Sequence, residues 1–510
     1  MISTLATVPT RPAAQPATVM DQMRGLICVP MLAMAMQDPF TEEAVVRGVD
    51  YSIIASGTSG QGMALCDLDR DLDLDLVVTG RADGVVGVYE NDGTGIFIDR
   101  TTTSGLEPIP YNSASGVAAA DYDGDGLVDL YFSNANTPNR LVRNVGDFEF
   151  IDVSLQAGVA DFGFGAGCAW ADYDGDGYLD LYLANNSKLS SPSADKLYRN
   201  RGDGTFEIMG NVGIENRDLQ AWQAIWFDYD LDGDPDLYIS NDKGEEGTIR
   251  HNYLWENVGG TFIDATEESD THAYADSMGV AVGDFDQNGY PDLYCSNIGA
   301  NPLFLNVDGT TFRESAFQAR VTSDSTGWGT VFFDFDNDAT LDLYVCNFGD
   351  VDRLYSSANG WPCSDQAVFV GLGDTNLSYC VAMGDIDDDG DLDIVHSAAL
   401  DQIRVFVNQN SRPNTWVKVL LRQPGRNRNA VGARVVVTTS EGEYSQQVLA
   451  GVGYKSSLPF MLHFGLGEAT TIQRISVTWP DGARTAYTDL DVDRTAVIGR
   501  RRGLFPAAYQ

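Results

Sequence analysis

The stretch DYDGDGLVDLYFSN, beginning at Asp121, crowds four carboxylates into nine residues and then turns apolar. Asp121, Asp123 and Asp125 alternate along one side of a tight loop, Gly126 permits the sharp turn, and Asp129 closes the constellation. Like charges this close repel unless a cation sits among them. Six or seven hard oxygens in a flexible loop suit calcium better than magnesium, which keeps its waters, or zinc, which prefers nitrogen and sulfur.

One isolated acidic run is usually solvated surface, but this one recurs. DLDRDLDLDL starts at Asp67, DYDGDGYLDL at Asp172, DYDLDGDPDL at Asp228, DFDQNGYPDL at Asp284, DFDNDATLDL at Asp334 and DIDDDGDLDI at Asp385. With Asp121 that makes seven copies whose starts lie 50 to 56 residues apart, a structural period rather than low complexity. The loop resembles an EF-hand loop cut to nine residues, but alternating strand residues follow where a helix would begin. Candidate metal ligands are Asp67, Asp69, Asp71 and Asp75; Asp121, Asp123, Asp125 and Asp129; Asp172, Asp174, Asp176 and Asp180; and Asp228, Asp230, Asp232 and Asp236. The set continues with Asp284, Asp286, Asn288 and Asp292; Asp334, Asp336, Asp338 and Asp342; and Asp385, Asp387, Asp389 and Asp393. Up to seven calcium ions are expected. Leu72 and Ala339 stand where the other copies have Gly, so the first and sixth loops are expected to turn differently and to bind more weakly. Asn288 keeps an oxygen ligand but removes a charge.

Each period carries four short strands. In the third, GAGCAWAD leads into the acidic loop, LDLYLAN runs back, DKLYRN follows, and GDGTFEIM ends the unit after a Gly-rich turn. Four antiparallel strands per period imply a blade, and seven blades close an all-β, seven-bladed propeller with calcium loops. DPFTEEAVVRGVDY aligns with a fourth-strand segment, so residues near 39 to 49 are expected to zip the last blade shut. On the face opposite the loops, the connections into each blade carry Tyr111, Phe162, Phe164, Trp222, Tyr274, Trp328 and Tyr379. These rings either line an axial ligand funnel or pack between blades. The inserts NNSKLSSPSADK and NDKGEEGTIRHNYLW are partner contacts or tolerated surface loops.

A formal net charge of −42 argues against a phosphate-facing nucleic-acid surface. Seven divalent ions would offset only about a third of that excess. The seven cysteines show no zinc spacing and are either small buried hydrophobes or disulfide partners. No apolar run is long enough for a membrane span. Residues 1–38 read as a signal-like or disordered segment, in which MRGLICVPMLAMAMQ offers Arg24, an apolar stretch and a cleavage site at Ala33-Met34-Ala35. Secretion to an extracellular or periplasmic compartment is the expectation. GxSxG, HExxH and P-loop motifs are absent, and only four histidines occur.

The repeats resemble the FG-GAP or VCBS family of integrin-type propellers, over residues 39–410. Beyond Asn414, NTWVKVLLRQPGRNRNAVGARVVV, GVGYKSSLPFMLHFGLG and ISVTWPDG are similar to the ASPIC and UnbV domain, here a β-rich, sandwich-like unit over 411–500 with a tail at 501–510. Together the two parts resemble the cartilage acidic protein family. That resemblance implies a secreted calcium-binding protein, its calcium structural, that binds an extracellular protein or glycan. The alternative, implied by UnbV-type domains, is a calcium-dependent biosynthetic enzyme of cyclase or group-transfer type. Its small hydrophobic substrate would sit in the axial funnel, with Asp, His251 or His272 as acid or base.

Overall fold

Each 50-to-56-residue period folds as one four-stranded antiparallel sheet, as the third shows: Gly165–Ala171, Asp180–Asn185, Lys196–Asn200 and Phe206–Ile208 pair in that order. The computed structural model describes residues 39–53, 60–109, 116–135, 137–186, 194–214, 220–242, 251–358, 360–500 and 503–505. Seven such sheets follow one another among these residues, so the chain is all-β with repeated four-stranded units and a C-terminal β-rich domain. First strands neighbour one another in sequence, and that of the seventh sheet, Ser378–Gly384, lies against that of the first, Met63–Cys66. Phe40–Glu42 supplies the outer strand of the seventh sheet, with Phe40 opposite Asn408 and Glu42 opposite Phe406. Radial repetition of this kind leaves only short, protected strand edges.

Position in the sheet sets the composition of each strand. First and second strands are buried along nearly their whole length, as in GAGCAWA and DLYLAN, because both their faces meet neighbouring sheets. Outer strands such as Phe97–Asp99, Phe150–Asp152 and Phe262–Asp264 bury only the Phe. In four sheets the corresponding Phe packs against the aromatic residue at position 2 of the preceding sheet's acidic loop. Ring centroids are 5.9 Å apart for Tyr122 and Phe206, and 5.8 Å for Tyr173 and Phe262.

The C-terminal domain contains two four-stranded sheets. One orders Leu462–Gly467, Thr415–Arg422, Arg494–Gly499 and Gly503–Phe505, with its central pair parallel. The other orders Glu443–Gln447, Arg434–Thr438, Ile472–Thr478 and Arg484–Leu490, all antiparallel. Val417, Val419, Val435, Ile475 and Trp479 meet in the core between them.

The six described cysteines are buried and free. Cys28, Tyr111, the signal-like segment and parts of both inserts lie outside the described residues. The first and sixth loops correct one expectation. Leu72 and Ala339 take φ of 82° and 71°, the same left-handed sense as Gly126 at 97° and Gly177 at 92°, so these loops turn as the others do. The conformation costs a non-Gly residue about 1–2 kcal/mol, which the surrounding loop hydrogen bonds offset.

Candidate functional site

In each loop the ninth-position carboxylate accepts two backbone N–H groups that hold the turn. For the second loop, Tyr122 N donates to Asp129 Oδ2 at 3.2 Å and Asn144 N to Asp129 Oδ1 at 2.8 Å. Leu68 and Asn91 on Asp75, Phe285 and Asn306 on Asp292, and Ile386 and Asn408 on Asp393 repeat the arrangement. Carboxylate oxygens of Asp121, Asp123 and Asp129 lie within 4.8 Å of one another, as do those of Asp172, Asp174 and Asp180, and of Asp67, Asp69 and Asp71.

Every loop also strands a buried carboxylate oxygen. Asp73 Oδ1, both oxygens of Asp121, and Oδ1 of Asp172, Asp228, Asp284, Asp336 and Asp387 are buried without a hydrogen-bond partner. A buried charged acceptor without a partner is costly, and an all-oxygen donor set offering one in each loop fits a hard divalent cation. Burial pushes Asp121 and Asp284 up to about 6, and Asp172 and Asp228 to about 7. Asp73, at position 7 of the first loop, was not among the sequence candidates. Burial and the neighbouring Asp71 push it up to about 9.

Neighbouring loops are tied together by a residue the motif reading missed. The Asn that ends each third strand donates its side-chain amide to a loop carbonyl in the preceding sheet: Asn144 to Leu68 O at 2.8 Å, Asn200 to Tyr122 O at 2.9 Å, Asn257 to Tyr173 O at 2.8 Å. Asn306, Asn408 and Asn91 do the same for Tyr229, Phe335 and Ile386, which carries the chain of clips across the ring closure. In the sixth sheet Ser357 bonds within its own unit instead, to Leu341 O. The signal was present in sequence as an Asn 22 to 29 residues after six of the seven loop starts. Replacing Asn144 with Ala strands the carbonyls of both Leu68 and Val128. A loss of about 2–4 kcal/mol in urea unfolding is expected, and a change below about 0.5 kcal/mol would show the clip to be dispensable.

The C-terminal domain docks its cations and amides on the acidic face. Arg426 donates to Asp123 O at 2.9 Å and Arg428 to Gly124 O at 2.7 Å, which gives roles to two arginines of the QPGRNRNAVG motif. Arg434 reaches Gly289 O, Ser445 reaches Asp284, Gln447 exchanges two hydrogen bonds with the backbone of Asp228, and Arg412 pairs with Asp336. Lys418 Nζ lies 2.6 Å from Asp385 and also contacts Asp388. Burial favours its neutral form, but the two carboxylates hold its pKa above the usual lysine value.

From the same domain, residues 449–457 run into the centre of the ring. Trp170 N donates to Ala450 O, Val280 and Gly453 exchange N–H···O bonds, Val117 N donates to Lys455 O, and Leu65 N donates to Ser457 O. Lys455 N donates to Gln223 Oε1 at 3.0 Å. First strands of five sheets thus hydrogen-bond one inserted segment. Around its tip stand four of the sequence-predicted aromatics. Tyr454 lies 6.3 Å from Trp222 and 5.1 Å from Trp328, while Trp328 meets Tyr379 at 4.9 Å and Trp222 meets Phe164 at 6.4 Å. All four are buried, and Lys455 Nζ sits 5.5 Å over the Trp222 ring. Burial lowers the Lys455 ammonium to about 8. Phe162 and Tyr274 are instead exposed. His251 packs against Tyr253 at 4.3 Å with its ring tilted 32°, and His272 packs near Tyr274 at 5.4 Å. His463 is buried with Nε2 against Gly390 O at 2.9 Å.

Matches to known families agree with this architecture. FG-GAP-like repeat matches cover residues 67–132, 121–183, 183–239, 228–295 and 284–345, and an ASPIC and UnbV match covers 423–503. Cartilage acidic protein 1 of Xenopus tropicalis is 28% identical over 477 residues, 82% of this chain and 70% of that protein. The Mus musculus protein of the same name is 28% identical over 499 residues, 86% of this chain and 73% of that one. Among solved structures, BBS1N in complex with ARL6DN aligns over 74% of this chain and 99% of its own at 10% identity, with a TM-score of 0.47. Matched repeats span more than half of the residues, and the chain belongs to the FG-GAP-like repeat family, with an ASPIC and UnbV domain set on its acidic face.

Proposed function

We propose that the chain is an exported, calcium-stabilised binding protein that engages a protein or glycan through the face opposite its acidic loops. The observation that carries calcium is the stranded, buried carboxylate oxygen in each of the seven loops. Short acidic loops of this kind work where free calcium is about 10⁻⁴ to 10⁻³ M, as it is outside cells. The cartilage in the name of the relatives supports the same compartment. No described helix is long and apolar enough to cross a membrane.

Strand order supports a partner surface on that opposite face. Acidic loops join first to second strands, so the starts of first strands and the ends of second strands gather on the other face. Phe162, Tyr274, Ile298, Phe348 and Leu400 lie there and are exposed. Apolar side chains of this size on one face are what a partner covers. Tyr454 and Lys455 occupy the axial space that a funnel enzyme would need, which favours binding over catalysis.

The test combines calorimetric calcium titration of chelator-stripped protein with retention on immobilised matrix proteins and glycans. Uptake of several calcium ions, together with retention lost on replacing Phe162 and Phe348 with Asp at unchanged melting temperature, is expected. No calcium uptake sinks the metal reading, and retention unaffected by the double variant sinks the partner face.

A further inference from the structure

A cavity of about 340 Å³ lies between the acidic face of the ring and the C-terminal domain, away from the axial aromatics. The ring contributes Phe332 and Met383 to its wall, and the C-terminal domain contributes Leu449, Val452 and Met461. By proportion to the ~150 Å³ cavity that holds benzene, this space takes roughly 14 non-hydrogen atoms. Its lining is apolar over most of the surface, with Lys418, Gln446 and His463 at one side.

Those polar groups differ in what they have left to offer. Lys418 is already held by Asp385 and Asp388, and Gln446 Nε2 donates to His463 O. His463 Nε2 faces the carbonyl of Gly390 at 2.9 Å and must therefore carry the proton it donates. Nδ1 is then a bare acceptor. It is buried and has no hydrogen-bond partner. Asp71, Asp73, Asp334 and Asp385 also line the cavity, and Lys418, the one lysine or arginine in its wall among the described residues, is already paired, so nothing there attracts an anionic occupant.

We propose that this interdomain cavity binds a small apolar molecule bearing one hydroxyl group, its hydrocarbon body against Phe332, Met383, Leu449 and Val452 and its O–H donated to His463 Nδ1. The occupant is neutral, compact and mostly carbon, with a single donor at one end. Ring and C-terminal domain both supply the wall, so the site exists only when the two are docked.

The probe is 1-naphthol, titrated by fluorescence into the full chain saturated with calcium, with naphthalene as the analogue lacking the donor. One saturable site is expected, with naphthalene at least about tenfold weaker because the buried acceptor stays unpaired. Leu449→Trp and Met461→Trp, which fill the space from two directions, are each expected to weaken 1-naphthol at least tenfold while the protein still melts cooperatively. His463→Phe is expected to bring 1-naphthol down to the affinity of naphthalene. Absence of saturable 1-naphthol binding, or full binding in whichever tryptophan variant folds, overturns the site. Equal affinities for the two probes in the unmodified protein overturn the hydrogen bond. Calcium uptake and partner retention are measured separately, so failure here leaves the proposed function standing, and the reverse holds.

Discussion

Stripping divalent ions at pH 8 is expected to lower the melting temperature by about 10 °C or more, and millimolar calcium is expected to restore it. A site filled at ten to a hundred times its dissociation constant adds about 1.4 to 2.7 kcal/mol, and several such sites act on one ring. The pH dependence of the stripped protein carries the sign. Burial raises Asp121, Asp284 and Asp336 to about 6 and Asp172 and Asp228 to about 7, from the ordinary carboxylate value of 3.8. Between about pH 4 and 7 the folded, metal-free chain therefore binds more protons than the unfolded chain, and stability falls as pH rises through that window. Calorimetry in chelator is expected to show a higher melt at pH 5 than at pH 8. Calcium reverses the trend, because its ligands must be deprotonated. A stripped protein that melts at the same temperature as the loaded one, or higher at pH 8 than at pH 5, contradicts the account.

Tyr454→Ala is expected to cost about 3–5 kcal/mol in urea unfolding of the calcium-loaded protein, although the residue lies far in sequence from every repeat. Its ring is fully buried among Trp222, Trp328 and the inner strands, and the Cβ of an alanine at Gly279 would come within 3.2 Å of its own Cβ. Little space exists for the surroundings to collapse into the cavity left behind, so the loss sits at the upper end for an aromatic truncation. A second consequence separates this from ordinary core loss. Because the inserted segment hydrogen-bonds the first strands of five sheets, the variant is expected to raise hydrogen exchange of Val117, Trp170 and Val280 together. A loss below about 1 kcal/mol, or exchange confined to one sheet, would show that the segment only rests on the ring.

Local chemistry was readable wherever the responsible residues are close in sequence. Asp121 to Asp129 crowd four carboxylates into nine positions, and the run after them alternates as a strand whatever lies around it. Legibility failed in three ways. Leu72 and Ala339 looked incompatible with the shared turn because left-handed φ is unfavourable for an isolated residue, yet the loop hydrogen bonds override that preference by more than it costs. Asn144 and its counterparts went unread, because their acceptors lie 73 to 84 residues away in the preceding sheet, and for Asn91 across the ring closure. Phe164, Trp222, Trp328 and Tyr379 were readable as ring-facing positions but not as the packing shell of Tyr454.

Residue order alone thus determined the all-β class, the repeating four-stranded unit and the positions of the carboxylates. Each of these follows from spacing over ten to fifty residues, where backbone geometry leaves few choices. Tertiary structure alone decided that the acidic face is covered by the C-terminal domain, that the axis is filled from that side, and that His463 borders an interdomain cavity. Those outcomes depend on which surfaces meet across hundreds of residues, and burial favours many pairings about equally until shape and hydrogen bonding select one.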